Sequence, residues 1–363
     1  MRILLVSHPS LTAELGAAQI ALRLAEGLRS LGHDAVAWSP EPLPSSTCWW
    51  NLWVQQRRAI ERHARERGPF DLIDTPAISA SPALAREAPL LVRSLQPEIH
   101  YVAWAVLGDL RHRFPPSPRA LAHALLSVPR VGAIVAGWRR ARAILCLGSR
   151  ELAWMRRRFP RWSSKLGLYV CAPSDAERIT LSEVRRNRSA PPSGAGVRFL
   201  WIGRWAEHKG TRRLLRFLTG RMAAAPADLF TIAGCGPAAE REIPADWLRT
   251  GRVRVVPAFS RSELPALLAS HDAGLFTSQV EGWGLSLNEM LESGLPVYAT
   301  AAGAVDDLRP FFPSSLRPFP PPGRVEPGEL EDLEANGYHE RFSWARITRD
   351  YELQALRTIS HNA

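Results

Sequence analysis

The sequence predicts an α/β protein made of two Rossmann-like domains facing a central cleft. Three observations carry that reading. Short apolar runs of strand type alternate with stretches of helical periodicity, the alternation stops at a Pro/Gly-rich stretch, and it then starts again. Alternation of this kind implies parallel sheets covered by helices on both faces. With 363 residues, 46% of them hydrophobic, the chain is long enough to bury one core per domain.

The elements follow in order. Residues 1–7, MRILLVS, are too short an apolar run for a signal peptide and lack a small-residue cleavage site, so they read as a buried first strand. A loop through Gly16 leads into a helix. Its Ala17, Ala21, Leu24, Leu28 and Leu31 fall at helical spacing, Gly32 ends it, and DAVAW begins a second strand. DLID (71–74), LLVRSL (90–95) and AILCLG (143–148) are further strands. The longest apolar stretch, Ala120 to Trp138, is interrupted by His123, Pro129 and Arg130, which favours an interfacial or core helix over a spanning one. SAPPSGAG at 189–196 is the linker. Beyond it come strand FLWIG (199–203), helix 211–222, strand DLFTIAG (228–234) and a helical segment to Trp247. RVRVV (252–256), a helix over SRSELPALLAS, strand AGLFTS (273–278) and a helix after Trp283 complete the run. This gives an N-terminal domain over 1–188, the linker, and a C-terminal domain over 197–345. Residues 346–363 form a closing helix.

Charge and cysteines narrow the class. The net charge of +11 lies entirely in the first half, where residues 1–188 hold 27 basic and 15 acidic side chains. Within 111–165 there are 13 basic residues and one acid, Glu151. Such a patch attracts anionic partners through a field screened over roughly 10 Å at moderate salt. No nucleic-acid module is recognisable, so nucleic acid is not the expected partner. An anionic membrane surface suits the arginines interleaved with Trp138, Trp154 and Trp162, beside the plainer reading of an Arg-rich solvated face. Cys48, Cys146, Cys171 and Cys235 show neither paired metal spacing nor a disulfide framework, which fits the reducing cytoplasm.

Strand ends are where ligands of such sheets bind. After FLWIG come Arg204 and Lys209, then Gly210 and a helix start. Arg binds two phosphate oxygens as a fork and Lys supplies a mobile point charge, so the pair suits a diphosphate. Lys209 is one of two lysines in a chain that otherwise uses arginine. Gly234-Cys235-Gly236-Pro237 imitates a dinucleotide fingerprint, yet it follows the domain's second strand and reads better as a tight turn. After AGLFTS, the loop Glu281-Gly282-Trp283-Gly284 precedes a helix carrying Glu289. Leu287, Met290, Leu291 and Gly294 form that helix's packing face, with Glu289 on another and Glu292 read as surface. Glycines permit close backbone approach, and amides at a helix start attract phosphate. The two carboxylates would repel phosphate and so suit hydroxyls. Together these groups complement a nucleotide-diphosphate-sugar.

At this point the sequence resembles family 4 of the glycosyltransferases, the retaining enzymes of GT-B architecture, over most of residues 197–308. IGR…HKG (202–210), AGCGP (233–237), HDAGLFTSQVEGWGLSLNEMLESGLPVYAT (271–300) and GAVDDL (303–308) resemble four of its motifs in order. LGA (15–17), GLRSLGHDAVAW and FSWARITRDY resemble three more, with Leu15 in place of a glycine. The resemblance implies a donor site of Gly16, Gly203, Arg204, Lys209, Glu281, Trp283, Gly284, Leu285 and Glu289. Arg204 and Lys209 would stabilise the diphosphate, Glu281 would meet the transferred sugar and Glu289 the ribose, with main-chain groups of Trp283, Gly284 and Leu285 nearby. Arg204, Lys209 and Glu281 are its catalytic candidates. LVRSLQPEIHY (91–101) resembles a stretch that often carries a histidine where Leu95 stands here, and His100 is the candidate replacement. The first domain would be the acceptor side, and the closing helix would return to it.

The expectation is transfer of a sugar from a nucleotide sugar to a glycan or lipid-linked hydroxyl acceptor in cell-envelope polysaccharide or glycolipid synthesis. It would occur in the cytoplasm, peripherally at the inner membrane face. No plausible DxD motif occurs, so neither cofactor nor metal is expected. The rivals are an epimerase or hydrolase on the same fold, a non-catalytic sugar-nucleotide-binding partner or scaffold subunit, and an NAD-dependent oxidoreductase.

Overall fold

A computed structural model describes the chain except for residues 13–15, 44–50, 113–114, 189–195, 326–328 and 361–363. Two parallel sheets organise it. The first runs β2-β1-β3-β4-β5-β6, with β1 Arg2–Val6, β2 Asp34–Trp38, β3 Leu72–Thr75, β4 Leu90–Arg93, β5 Ala143–Leu147 and β6 Leu166–Tyr169. The second runs β12-β11-β10-β7-β8-β9, with β7 Arg198–Ile202, β8 Leu229–Ala233, β9 Val253–Val256, β10 Ala273–Phe276, β11 Val297–Ala299 and β12 Leu316–Pro318. Central strands such as β1 and β10 are apolar almost throughout because both faces are covered, and Ile3, Leu4, Leu5 and Val6 are wholly buried.

The first unit, Met1–Cys171 with Arg341–Ala363, carries α1 Gly16–Ser30, α2 Leu52–Arg67, α3 Leu84–Glu87, α4 Glu98–His112, α5 Pro118–Arg140 and α6 Ser149–Arg158. The second, Ala172–Glu340, begins with α7 Asp175–Arg186, α8 Thr211–Ala224, α9 Ala239–Glu242 and α10 Ala245–Arg249. It continues with α11 Leu264–Ala269, α12 Leu285–Glu292, α13 Val305–Leu308 and α14 Tyr338–Arg341, the last residue of which already belongs to the first unit. The chain then returns in α15 Trp344–Ser360, which packs on α1 and is part of the first unit. That packing depends on a missing side chain: a Cβ on Gly27 would lie 2.2 Å from Thr348 Oγ1. Tyr351 in α15 also donates to the buried Asp74 carboxylate at 2.6 Å, and Arg93 donates to the same carboxylate at 2.7 Å.

The unit boundary falls earlier than the 1–188 domain read from the sequence. Residues 172–188 belong to the second unit because α7 packs on α11 and α12. Arg185 donates to the Leu291 carbonyl, and Arg188 donates to those of Ser293, His271 and Leu268. Most of the expected linker, 189–195, lies outside the described residues.

The two sheets change direction at different places. In the second, the chain builds outward through β7, β8 and β9, then crosses to β10 on the other side of β7. The adjacent ends of β7 and β10 are therefore a topological switch point, the crevice where ligands of open α/β sheets bind.

Candidate functional site

Both loops singled out in the sequence emerge at that switch point. The loop after β7 holds Gly203 and an exposed Arg204, then makes one 3-10 turn over Glu207–Lys209. Gly210 closes the turn at φ +74°, where a Cβ would stand 2.0 Å from the Thr277 carbonyl oxygen; only glycine fits. The loop after β10 is stitched to it. Thr277 Oγ1 donates to the Lys209 carbonyl at 2.8 Å and accepts from Trp201 Nε1 at 3.0 Å. The amides of Gln279 and Val280 both donate to the His208 carbonyl, at 2.7 and 3.2 Å.

This stitching brings two of the three candidate catalytic side chains into contact. Lys209 Nζ donates to Glu281 Oε2 at 2.5 Å, and Ser278 Oγ donates to the same oxygen at 3.0 Å. Glycines pack around the carboxylate. A Cβ on Gly284, at φ +89°, would lie 2.8 Å from the Phe276 ring and 3.3 Å from Glu281 Cγ. One on Gly303 would lie 2.5 Å from the Trp283 carbonyl oxygen and 3.1 Å from Glu281 Cβ. Neighbouring His208 is neutral at pH 7: burial first, then the Lys209 charge, pulls its pKa down to about 4. His208 therefore adds no imidazolium charge beside the Lys209–Glu281 pair, while the Arg204 charge acts on the same ring.

Helix α12 starts at Leu285, behind Gly284, and no side chain caps it. Trp283 is buried, and its indole N–H donates to Asn288 Oδ1 at 2.7 Å. Its bulk thus anchors the loop, and its carbonyl accepts from the Ala304 amide at 2.9 Å. Here the sequence reading needs a correction. Every residue of α12 from Leu287 to Glu292 is buried, so no face is left for the surface, and Glu292 is 2% exposed. Tyr338 donates to Glu292 at 2.5 Å, Asn288 Nδ2 donates to it at 3.2 Å, and Arg178 approaches at 3.6 Å. A linear pattern could not show it, because Arg178 and Tyr338 come from α7 and α14.

Glu289 is buried and paired with Arg261 at 2.6 Å, and the same guanidinium binds Glu177 at 2.5 Å. Burial pushes the Glu289 carboxyl up, against the pull of Arg261. Arg261 was not among the expected site residues. Its position just past the end of β9, in PAFSR, marks it as a strand-end cation, and that was the available signal.

The remaining candidates lie in the first unit. Gly16 is the first residue of α1; Leu15 falls outside the described residues. His100, the candidate replacement at the acceptor side, packs edge-on against Trp154 with ring centroids 4.4 Å apart. Burial, then Arg158, lowers its pKa. Strand ends in this unit gather a second set of titratable groups that sequence reasoning missed. His8 pairs with Ser79 at 2.8 Å, and Glu151 accepts from Ser94 Oγ at 2.7 Å and from the Leu147 amide at 2.8 Å. Burial raises Glu151 to about 7, while burial and then the Glu151 charge raise Glu98 to about 8.

Among the described residues no group of three or more His, Cys, Asp or Glu side chains could hold a metal ion. The fold and site thus define an α/β chain whose second unit gathers a cation, a paired carboxylate and a helix start at the switch point of its sheet.

Comparison with known proteins shows what this chain is similar to. Residues 196–310 match the family model described as glycosyl transferases group 1. Similar solved structures include sucrose-phosphate synthase from Thermosynechococcus elongatus, with TM-score 0.63 at 16% identity, covering 99% of this chain and 94% of that one. WaaG, a glycosyltransferase involved in lipopolysaccharide biosynthesis, gives 0.59 at 14% identity and 99% coverage of both chains. HepE of Anabaena in complex with UDP and glucose gives 0.56 at 15% identity, covering 99% and 98%. No curated protein sequence matches the chain. At these identities the structures establish the fold, which is GT-B, and the matched segment adds glycosyl transfer as the supported enzyme class.

Proposed function

We propose that this protein is a retaining glycosyltransferase of the family 4 type. It moves a sugar from a nucleotide-diphosphate-sugar to a hydroxyl of a glycan or lipid-linked acceptor in cell-envelope polysaccharide or glycolipid synthesis. The observation that carries the reading is the Lys209–Glu281 contact, with Arg204 on the same loop, at the switch point of the second sheet. HepE, of the same fold, holds UDP and glucose, which supports a nucleotide sugar as donor.

In this reading Arg204 and Lys209 stabilise the diphosphate as negative charge grows on the leaving oxygen. Preorganised donors of this kind are worth on the order of 3 kcal/mol each in a water-excluded site. Glu281 accepts hydrogen bonds from hydroxyls of the transferred sugar, and Glu289 accepts them from the ribose. Gly203 and Gly284 let main chain approach the donor, and the amides at Leu285 begin α12 beside the phosphates. Reaction is front-face. The acceptor oxygen bonds to the anomeric carbon as the bond to the diphosphate breaks, and the departing phosphate oxygen takes the acceptor's proton. Neither cofactor nor divalent ion enters this scheme, so transfer with an identified donor survives EDTA. The basic first half suits an anionic membrane surface at the cytoplasmic face.

A thermal-shift screen of UDP-, GDP- and ADP-sugars identifies the donor first. With that donor, Glu281→Ala and Arg204→Ala each lower transfer about 100-fold or more, and the product keeps the donor's anomeric configuration by NMR. Wild-type transfer in both variants would falsify the site assignment. An inverted product removes the retaining mechanism, and binding without turnover across an acceptor panel favours a non-catalytic relative.

A further inference from the structure

Helix α5 is long and apolar enough by composition to cross a membrane, yet only 22% of its most apolar stretch is buried among the described residues. Leu121, Leu125 and Val128 are 50%, 73% and 70% exposed. Their spacing of four and three residues places all three on one face of the helix, within about 60° of arc. Antiparallel α4 packs beside α5 and extends the surface through Leu107, 36% exposed. An apolar face this continuous is not what a helix turned to water carries.

Its surroundings indicate what covers it. Arg139 is exposed towards the C-terminal end of α5, on the same face by helical spacing, and Arg111 is exposed on α4, one turn beyond Leu107. The exposed acid on α4, Asp109, is held by His123 of α5 at 2.6 Å. Apolar residues bordered by arginines, with the nearby carboxylate already paired, complement an anionic lipid surface. Pro129 settles the depth. It has no N–H to give the Leu125 carbonyl, which therefore needs water or headgroup donors and is poorly placed in hydrocarbon.

We infer that α4 and α5 form a membrane-docking face that lies in the plane of an anionic bilayer. Leu121, Leu125 and Val128 enter the headgroup–acyl boundary and the arginines contact lipid phosphates. This adds an apolar component to the electrostatic attraction of the basic first half, and it holds whatever the full-length protein transfers.

Sedimentation of the full chain with vesicles tests it. With equimolar phosphatidylglycerol and phosphatidylcholine the protein binds, and high salt weakens binding without removing it, because the apolar part is not screened. With phosphatidylcholine alone binding is at least about tenfold weaker. Leu121→Glu/Leu125→Glu/Val128→Glu lowers binding to the anionic vesicles at least about tenfold, with unchanged circular dichroism and nucleotide-sugar thermal shifts. Leu125→Trp, a change at a largely exposed position, serves should the triple variant misfold, and its emission shifts to the blue on anionic vesicles. Unchanged sedimentation of a folded triple variant, or unmoved Leu125→Trp emission, overturns the proposal. So does a wild-type dimer that the triple variant dissociates, since a second copy would then cover the face. A failure of nucleotide-sugar binding bears on the donor site and leaves this inference standing.

Discussion

Lys209 and Glu281 are more than neighbours: each is the other's counter-charge in the described chain, and both side chains are largely buried, at 16% and 14% exposure. Removing one leaves the other desolvated and unpaired. Lys209→Ala should therefore reduce transfer about 100-fold or more, and Lys209→Ala/Glu281→Ala should cost much less than the two single losses combined. Fully additive losses in kcat/KM would show that the two side chains act separately. Arg261 makes a different case. Truncating it to alanine leaves buried Glu289 without its cation, at a cost of about 2 kcal/mol, read as a lower urea midpoint. The sequence made Glu281, Lys209 and Arg204 legible because each follows a strand of clear apolar pattern. Glu292 was not legible, and Arg261 only as a strand-end cation: their partners, Glu177, Tyr338 and Arg178, are brought to them by α7 and α14, far away in sequence.

At the scale of elements, backbone geometry rather than side chains shapes the crevice. Gly284 combines a left-handed backbone with a ring 2.8 Å from where its Cβ would be, so alanine there must both strain the chain and push Phe276 aside. Gly132 is the contrast, lying in α5 with nothing within 4 Å of an added Cβ. Gly284→Ala is expected to lose about 2 kcal/mol of stability, whereas Gly132→Ala gains up to about 1 kcal/mol from helix propensity. Equal melting temperatures for the two variants would contradict this account. Most strands were legible as apolar runs of four or five residues. β6 (LGLY) and β12 (LRP) were not, being short outer strands with little pattern of their own, placed by pairing with β5 and β11. The attachment of 172–188 to the second unit is not legible in the sequence, because the partners of α7 and Arg188, among them Glu292, Arg261 and the carbonyls of Leu291 and Ser293, lie some 80 or more residues further along the chain.

For the whole molecule, pH selects which buried groups matter. Burial lowers the pKa values of His8, His208 and His271, so protonating them favours the unfolded chain. That loss occurs below pH 6.5, the ordinary histidine value, and is over once the unfolded imidazoles are neutral. Glu98 and Glu151 work in the other direction. Their folded values of about 8 and about 7 lie above the ordinary 4.5, so between those limits the folded state holds protons that the unfolded state has released. Stability then falls as pH rises, by up to about 1 kcal/mol per pH unit for each proton held, and levels off above the folded values. Lys165, lowered to about 8 by burial, adds stability only as pH rises beyond that point. The window from pH 6.5 to 8 therefore brackets the folded values of the Glu98–Glu151 pair, whose protons leave as a coupled set. A substitution at Glu98 separates that pair from the other buried carboxyls raised by burial, Asp74, Glu289 and Glu292. Melting temperature is expected to decline across this window in the wild type and to decline much less in Glu98→Gln, which keeps the neutral shape without the titration. A wild-type profile flat from pH 6.5 to 8, or an identical slope in Glu98→Gln, would show that the pair is already ionised in the folded protein.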